Sequence, residues 1–232
     1  MAKGKTKMGN LGNTFEEFGM SLFDSDKIDL LESYTDMTIG EIYNLSEKVK
    51  DIPVCRTFVA VVNTVSTIRD CFLIQKFLRF KKRFHDGKID ESEIKKRRIA
   101  AENKEKWIRH EIELILLRID NISDKRNIEI LCGVYVEFLN GNCSWEKFEE
   151  IALILERFIY SDTEQLKEIY DRHIRTQQAK QDTVICTMFE NNHCDRLVAL
   201  GLVWQKYTAV LNGGITVEYC LTEVGNILAG VL

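Results

Sequence analysis

Apolar residues at positions 54, 58, 61, 65, 68 and 72 step alternately by four and three, then resume one place over at 73, 77, 80 and 84. That spacing keeps one face of a helix apolar. It predicts a long helix from Val54 to Phe84, opened by Asp51-Ile52-Pro53 and closed by His85-Asp86-Gly87. Proline suits a first turn and glycine the residue beyond a last one. At 1.5 Å per residue such a helix is about 46 Å long. Asp90 with Glu93 has the form of a capping box, where the first side chain accepts from an early amide and the second reaches back. The helix after it is basic at first and turns amphipathic through Trp107, Ile108, Ile112, Ile115, Leu116 and Ile119. The two long helices predict an antiparallel hairpin over about 54–120.

Shorter patterns flank it. Phe15, Phe18, Leu22 and Phe23, then Ile28, Leu30, Leu31 and Tyr34, then Ile39, Ile42, Tyr43, Leu45 and Val49, mark three short helices. Ile128, Leu131, Tyr135 and Phe138 mark another, ending at Asn140-Gly141, and Phe148, Ile151, Leu155 and Phe158 one capped by Ser144. Ser161 with Glu164 predicts the start of a helix carrying Leu166, Ile169, Tyr170 and Ile174, followed by a polar linker over 175–182. The last fifty residues change character. Val184–Phe189 and Arg196–Leu200 read as short helices, the second stopped by Gly201. Tyr207–Leu211 and Ile215–Leu221 flank Asn212-Gly213-Gly214, a hairpin signal, and Glu223–Leu228 closes the chain as a helix. The expected fold is mainly α: a helical domain over 1–174, then a small α+β domain over 183–232.

Composition agrees, since 232 residues with 45% apolar and 29% charged side chains suit one or two globular domains, and the single proline, Pro53, favours helices. The run Val54–Ile68 is shorter than a membrane span and carries Arg56. No apolar stretch follows the basic N-terminus as a signal peptide requires. The seven cysteines, at 55, 71, 132, 143, 186, 194 and 220, are odd in number and form no CxxC. They read as buried thiols of a cytoplasmic protein. Charge divides sharply: net +7 over 76–109, against −6 over 11–75 and −8 over 110–232.

Two resemblances follow from particular residues. Arg196-Leu197-Val198-Ala199-Leu200-Gly201-Leu202-Val203 and Tyr219-Cys220-Leu221-Thr222-Glu223-Val224-Gly225 resemble the end of a recognition helix and the strand leaving the wing in winged-helix transcription regulators. The resemblance implies that fold for 183–232. It does not carry DNA binding with it, because residues 181–232 hold two bases, Arg196 and Lys206, against five acids, and phosphate neutralisation supplies most DNA affinity. Asp51-Ile52-Pro53-Val54, Ile68-Arg69-Asp70, Phe72-Leu73-Ile74-Gln75-Lys76 and Trp145-Glu146-Lys147-Phe148 resemble a loosely defined group of helical bacterial and mobile-element proteins without an assigned activity. That likeness, over about 51–166, implies a setting in phage–host conflict or antiviral defence.

Candidate chemistry is sparse. Arg69 and Asp70 beside the apolar stripe read as a structural ion pair. Phe77, Phe80 and Phe84 alternate with Lys76, Arg79, Lys81, Lys82 and Arg83, and Lys95, Lys96, Arg97 and Arg98 extend the basic run. Aromatics between bases can stack on unpaired nucleobases or sit on an anionic membrane, but core phenylalanines with a solvated basic rim give the same pattern. Cys186, His193, Cys194 and Cys220 match no zinc spacing. No phosphate loop and no nucleophile elbow is present, so no cofactor, metal or catalytic residue is expected. Three readings follow. The leading one is a non-enzymatic protein that docks on another macromolecule or on itself, since the 54–84 stripe exceeds what short neighbours cover. The others are a nucleic-acid binder using the basic hairpin and a membrane-associating effector using the 54–84 helix.

Overall fold

In the computed structural model the described residues are 19, 21–23, 68–178, 187–188, 194–209 and 215–232. The short helices expected over 15–49, apart from helical residues 19 and 21–23, and the first half of the 54–84 helix lie outside them. The chain divides into two compact units, Met1–Asn142 and Cys143–Leu232. The helices of 145–178, expected with the hairpin, therefore group with the C-terminal sheet.

In the first unit, helix α1 (Ile68–Asp86) carries the apolar stripe to its end, and the chain leaves it at Gly87. The expected second arm is two helices, α2 (Glu91–Glu102) and α3 (Lys106–Asn121). Lys104 turns the chain between them with φ +58°. The Lys104 amide donates to the Ala101 carbonyl and the Glu105 amide to Ala100, so the end of α2 is closed by a Schellman motif. Lysine is an uncommon occupant of a left-handed position that usually goes to glycine, so no local residue pattern marks this break. Asp90 does cap α2, accepting from the Ser92 amide at 2.8 Å, while Glu93 is used by Arg97 and Lys96.

Helix α4 (Lys125–Leu139) ends as expected at Asn140-Gly141, with Gly141 at φ +76°. Helix α1 lies against α3 and α4, and α2 against α3. Phe77, Phe80 and Phe84 are buried in this contact, Phe80 and Phe84 with ring centroids 6.1 and 6.0 Å from Tyr135. The described part of the stripe is thus covered within the unit, which removes for Ile74–Phe84 the argument that it needs a second copy.

In the second unit, Ser144 caps α5 (Trp145–Leu155) by accepting from the Lys147 amide. Helix α6 (Tyr160–Gln178) starts one residue before the expected Ser161. Asp162, at its third position, accepts from the Ile159 amide at 2.8 Å and does the work assigned to Ser161 and Glu164. Thr187–Met188, expected in a helix, form strand β1; the β-branched run Thr183-Val184-Ile185 before them suits a strand at least as well. After a five-residue helix α7 (Asp195–Ala199), closed at Gly201 with φ +73°, come β2 (Val203–Ala209) and β3 (Ile215–Leu221). Helix α8 (Glu223–Gly230) is capped by Thr222, which accepts from the Gly225 amide at 3.0 Å. The antiparallel sheet has the order β1-β3-β2, with Val203 opposite Leu221 and Lys206 opposite Glu218. Helices α6 and α8 pack on β3, and buried Leu166, Ile169, Leu197, Val203, Val224 and Leu228 contribute to the unit's core. The fold is mainly helical with a small sheet near its C-terminal end.

Candidate interaction surfaces

The basic run of 76–98 divides once its side chains are placed. Lys76 is buried, and its ammonium donates to the Ile119 carbonyl at 3.1 Å and the Asp120 carbonyl at 2.8 Å. Those carbonyls end α3, where the helix leaves acceptors unsatisfied and its dipole favours a cation. Lys81 is also buried, 3.5 Å from Ser21 Oγ. Arg97 is 5% exposed and donates through Nε to Glu111 Oε1 at 2.8 Å and through a terminal nitrogen to Glu93. Burial works against the Arg97 charge, but Tyr135, Glu111 and Glu93 outweigh it and hold the guanidinium above its ordinary pKa. Trp107 and Phe138 face the cation at 5.8 and 5.3 Å. These three bases belong to the interior and not to a basic surface.

Of the other six, Arg79 pairs with Glu129 at 3.0 Å, Lys96 with Glu93 at 3.4 Å and Arg98 with Glu102 at 3.4 Å. Arg83 and Lys95 are exposed, and Lys82 half-buried. Phe77, Phe80 and Phe84 are core residues, so they offer no rings to a nucleobase or a lipid. Arg69 and Asp70 fall in the first turn of α1, and their side chains lie outside the described residues. No helix among the described residues is long and apolar enough to cross a membrane.

The second unit treats its two C-terminal bases in the same way. Arg196 Nε donates to both carboxylate oxygens of buried Asp162 at 2.8 and 2.9 Å, and its terminal nitrogen to the Arg157 carbonyl. Lys206 faces Glu218 across the strand pair at 3.6 Å. Neither base of this segment stands apart from a carboxylate.

What this unit does present is a strand edge. β2 is an outer strand of the sheet, seven residues long, and carries Trp204 and Tyr207 at 44% and 64% exposure. Odd and even positions of a strand point to opposite faces, so the two rings flank the edge on either side. Tyr207 is held by donating to Gln205 Oε1 at 2.6 Å, and Gln205 in turn donates to Tyr219 Oη at 3.4 Å. The sequence reading began the strand at Tyr207 and so missed Trp204. The signal available was the β-branched and aromatic residues Val203, Trp204, Tyr207 and Thr208 within six positions.

No family model, no curated protein and no solved structure matches this chain.

An open pocket of about 320 Å³ is lined by Tyr170, His173, Thr222, Glu223 and Asn226 among others. Among the described residues no three of His, Cys, Asp and Glu converge as metal ligands. The cysteines depart from the reading of uniformly reduced thiols. Cys132 and Cys194 are buried thiols, and burial pushes the Cys194 pKa up to about 11. Cys220 is disulfide-bonded. A thiol count and spacing cannot reveal this, because the bond depends on which distant segments meet.

Proposed function

We propose that this protein works by docking on another protein, with no bond-making chemistry of its own, and that the β2 edge of the C-terminal sheet is the contact. The observation that carries this is the pair Trp204 and Tyr207, two large aromatics in solvent on an outer strand whose backbone edge is open within the described fold. Strand edges left long and aromatic invite pairing with another chain. Aromatic side chains are also the usual anchors of protein interfaces. The order of a helix (α7), an antiparallel strand pair (β2 and β3) and a following helix (α8) supports the winged-helix reading of 183–232. We read it as a winged helix turned to protein contact. Arg196 and Lys206, the bases that would serve phosphate, are both engaged with carboxylates.

The nucleic-acid reading loses most of its charge in the same way, since three of the nine bases are buried and three are paired. The membrane reading loses its phenylalanines to the core.

The test compares wild type with the double variant Trp204→Lys/Tyr207→Lys by light scattering on size exclusion and by cross-linking with mass spectrometry. An oligomer or cross-linked partner that disappears in the variant supports docking at β2. A wild type that stays monomeric and cross-links no differently from the variant overturns it. A salt-sensitive affinity for single-stranded oligonucleotide, lost in Lys82→Glu/Arg83→Glu/Lys95→Glu/Arg98→Glu, would move the function to the basic segment.

A further inference from the structure

One strand that can lie along an outer strand is a second copy of itself, running antiparallel across a two-fold axis normal to the sheet. Such an axis keeps each face of the sheet on its own side. Directly opposed residues share a face, so the axis must pass through a residue and not between two. For β2 (Val203–Ala209) each possible centre brings different side chains together.

Centred on Lys206, the pairing sets two ammonium groups directly opposite one another, and like charges so placed are destabilising. Centred on Trp204 or on Tyr207, it leaves the other aromatic opposite a residue beyond the end of the strand. Centred on Gln205, it suits every position from Val203 to Tyr207. Trp204 then faces Lys206 of the second copy, twice, and a cation beside an indole is attracted to its ring. Lys206 would stand with Glu218 at 3.6 Å on the β3 side and the new indole on the other. On the opposite face Tyr207 meets Val203 of the second copy, twice, an aromatic against a β-branched residue, which is a favourable cross-strand pair. At the axis two uncharged amides meet.

We infer that β2 pairs with β2 of a second copy of this chain, antiparallel and centred on Gln205, so that the two sheets join into one. This rests on the reading of β2 as the docking edge and names the partner it takes. The pairing uses the same edge of both copies, so through this edge the assembly closes at two. Lys206 sets the register: it repels itself in one alignment and finds a ring in the next. A strand pair over 203–207 with four aromatic rings is smaller than the standard stable interface of about 1,200–2,000 Å², so the dimer forms reversibly and depends on concentration.

The experiment uses the full chain. Light scattering should show the wild type moving from monomer toward dimer mass between about 5 and 500 μM, the range of a small interface. Trp204→Lys places like charges opposite one another twice and should weaken association at least about tenfold. Register is read by mild oxidation of Gln205→Cys, Lys206→Cys and Tyr207→Cys, with mass spectrometry of the linked peptides. A disulfide spans about 4.4–6.8 Å between Cα atoms, so only the thiol introduced at 205 lies opposite its own copy, and it should link on the order of tenfold faster than the other two. Faster linkage at 206 or 207, or a wild type that is monomeric throughout, overturns the inference. A synthetic peptide of residues 202–209 separates that failure from failure of the docking reading. If the peptide slows amide exchange in β2 while the chain stays monomeric, self-pairing is wrong and the edge serves another protein. An edge that takes neither copy nor peptide overturns both.

Discussion

Arg97 on α2 donates to Glu111 on α3 across 2.8 Å, and both side chains are withdrawn from solvent. Tyr135 on α4 donates to the same Glu111 oxygen, so one carboxylate ties three helices together. Breaking a buried pair from one side leaves a charge without compensation, and the cost typically reaches about 3–5 kcal/mol. Replacing both members by apolar groups of similar size removes that penalty. Arg97→Met is therefore expected to lower the urea midpoint severely, and Arg97→Met/Glu111→Leu to recover a large part of the loss. If the double variant is as unstable as the sum of the singles, the two residues are not coupled.

Tyr135 gives this cluster a pH signature. Burial, reinforced by the Glu111 carboxylate, holds the Tyr135 phenol well above its ordinary value of 10. Above pH 10 the unfolded chain releases this proton while the folded protein keeps it, so the folded state binds more protons and stability falls as pH rises. The contribution is whole below pH 10 and is lost on going up toward the folded value. Urea midpoints measured from pH 8 to 11 should fall more steeply for wild type than for Tyr135→Phe. At pH 7 that variant should cost about 1 kcal/mol, the worth of one hydrogen bond. Parallel slopes would show that the phenol titrates as it does in the unfolded chain.

The sequence made the elements of this fold readable because periodicity and caps are local. The α1 stripe to Phe84, the caps Asp90 and Ser144, the stops at Gly141 and Gly201 and strand β3 all follow from residues within a few positions of one another. What was not readable depends on meetings between distant segments. Lys76, Lys81 and Arg97 look like surface bases until Ile119, Asp120, Ser21 and Glu111 arrive beside them. The edge aromatics follow the same logic: Trp204 matters because β2 lies outermost in the sheet, and strand order is not written in any local pattern.

Arg196 opens the run that resembles the end of a recognition helix, and in the fold it serves as an internal brace. Its guanidinium neutralises Asp162, which is 1% exposed, and also reaches the Arg157 carbonyl at the turn into α6. Arg196→Ala should therefore lower the thermal midpoint, with a loss of about 1.5–3 kcal/mol typical of hydrogen bonds to charged groups. Asp162→Asn/Arg196→Ala should lose less than the single change, since the amide oxygen can still accept from Ile159. Oligonucleotide affinity, if any is found, should not respond to either.

Gly225 occupies a position no other residue fits. A Cβ built there would stand 1.9 Å from the Leu202 carbonyl oxygen and 2.8 Å from its carbonyl carbon. Both are backbone atoms, and they are already fixed because Leu202 O accepts from the Thr222 amide at 3.0 Å and from the Thr222 hydroxyl at 3.1 Å. Helix α8 can admit a methyl only by moving off the start of β2, which breaks the Thr222 contacts that cap it. Gly225→Ala should thus cost more than the ~1–3 kcal/mol usual for overpacking, because no flexible side chain is there to yield. Gly141→Ala makes the control: nothing lies within 4 Å of its Cβ, so only the left-handed backbone at φ +76° resists, at about 1 kcal/mol. Equal urea midpoints for the two variants would mean that α8 stands off from Leu202 in solution and that the close contact is not what seats it.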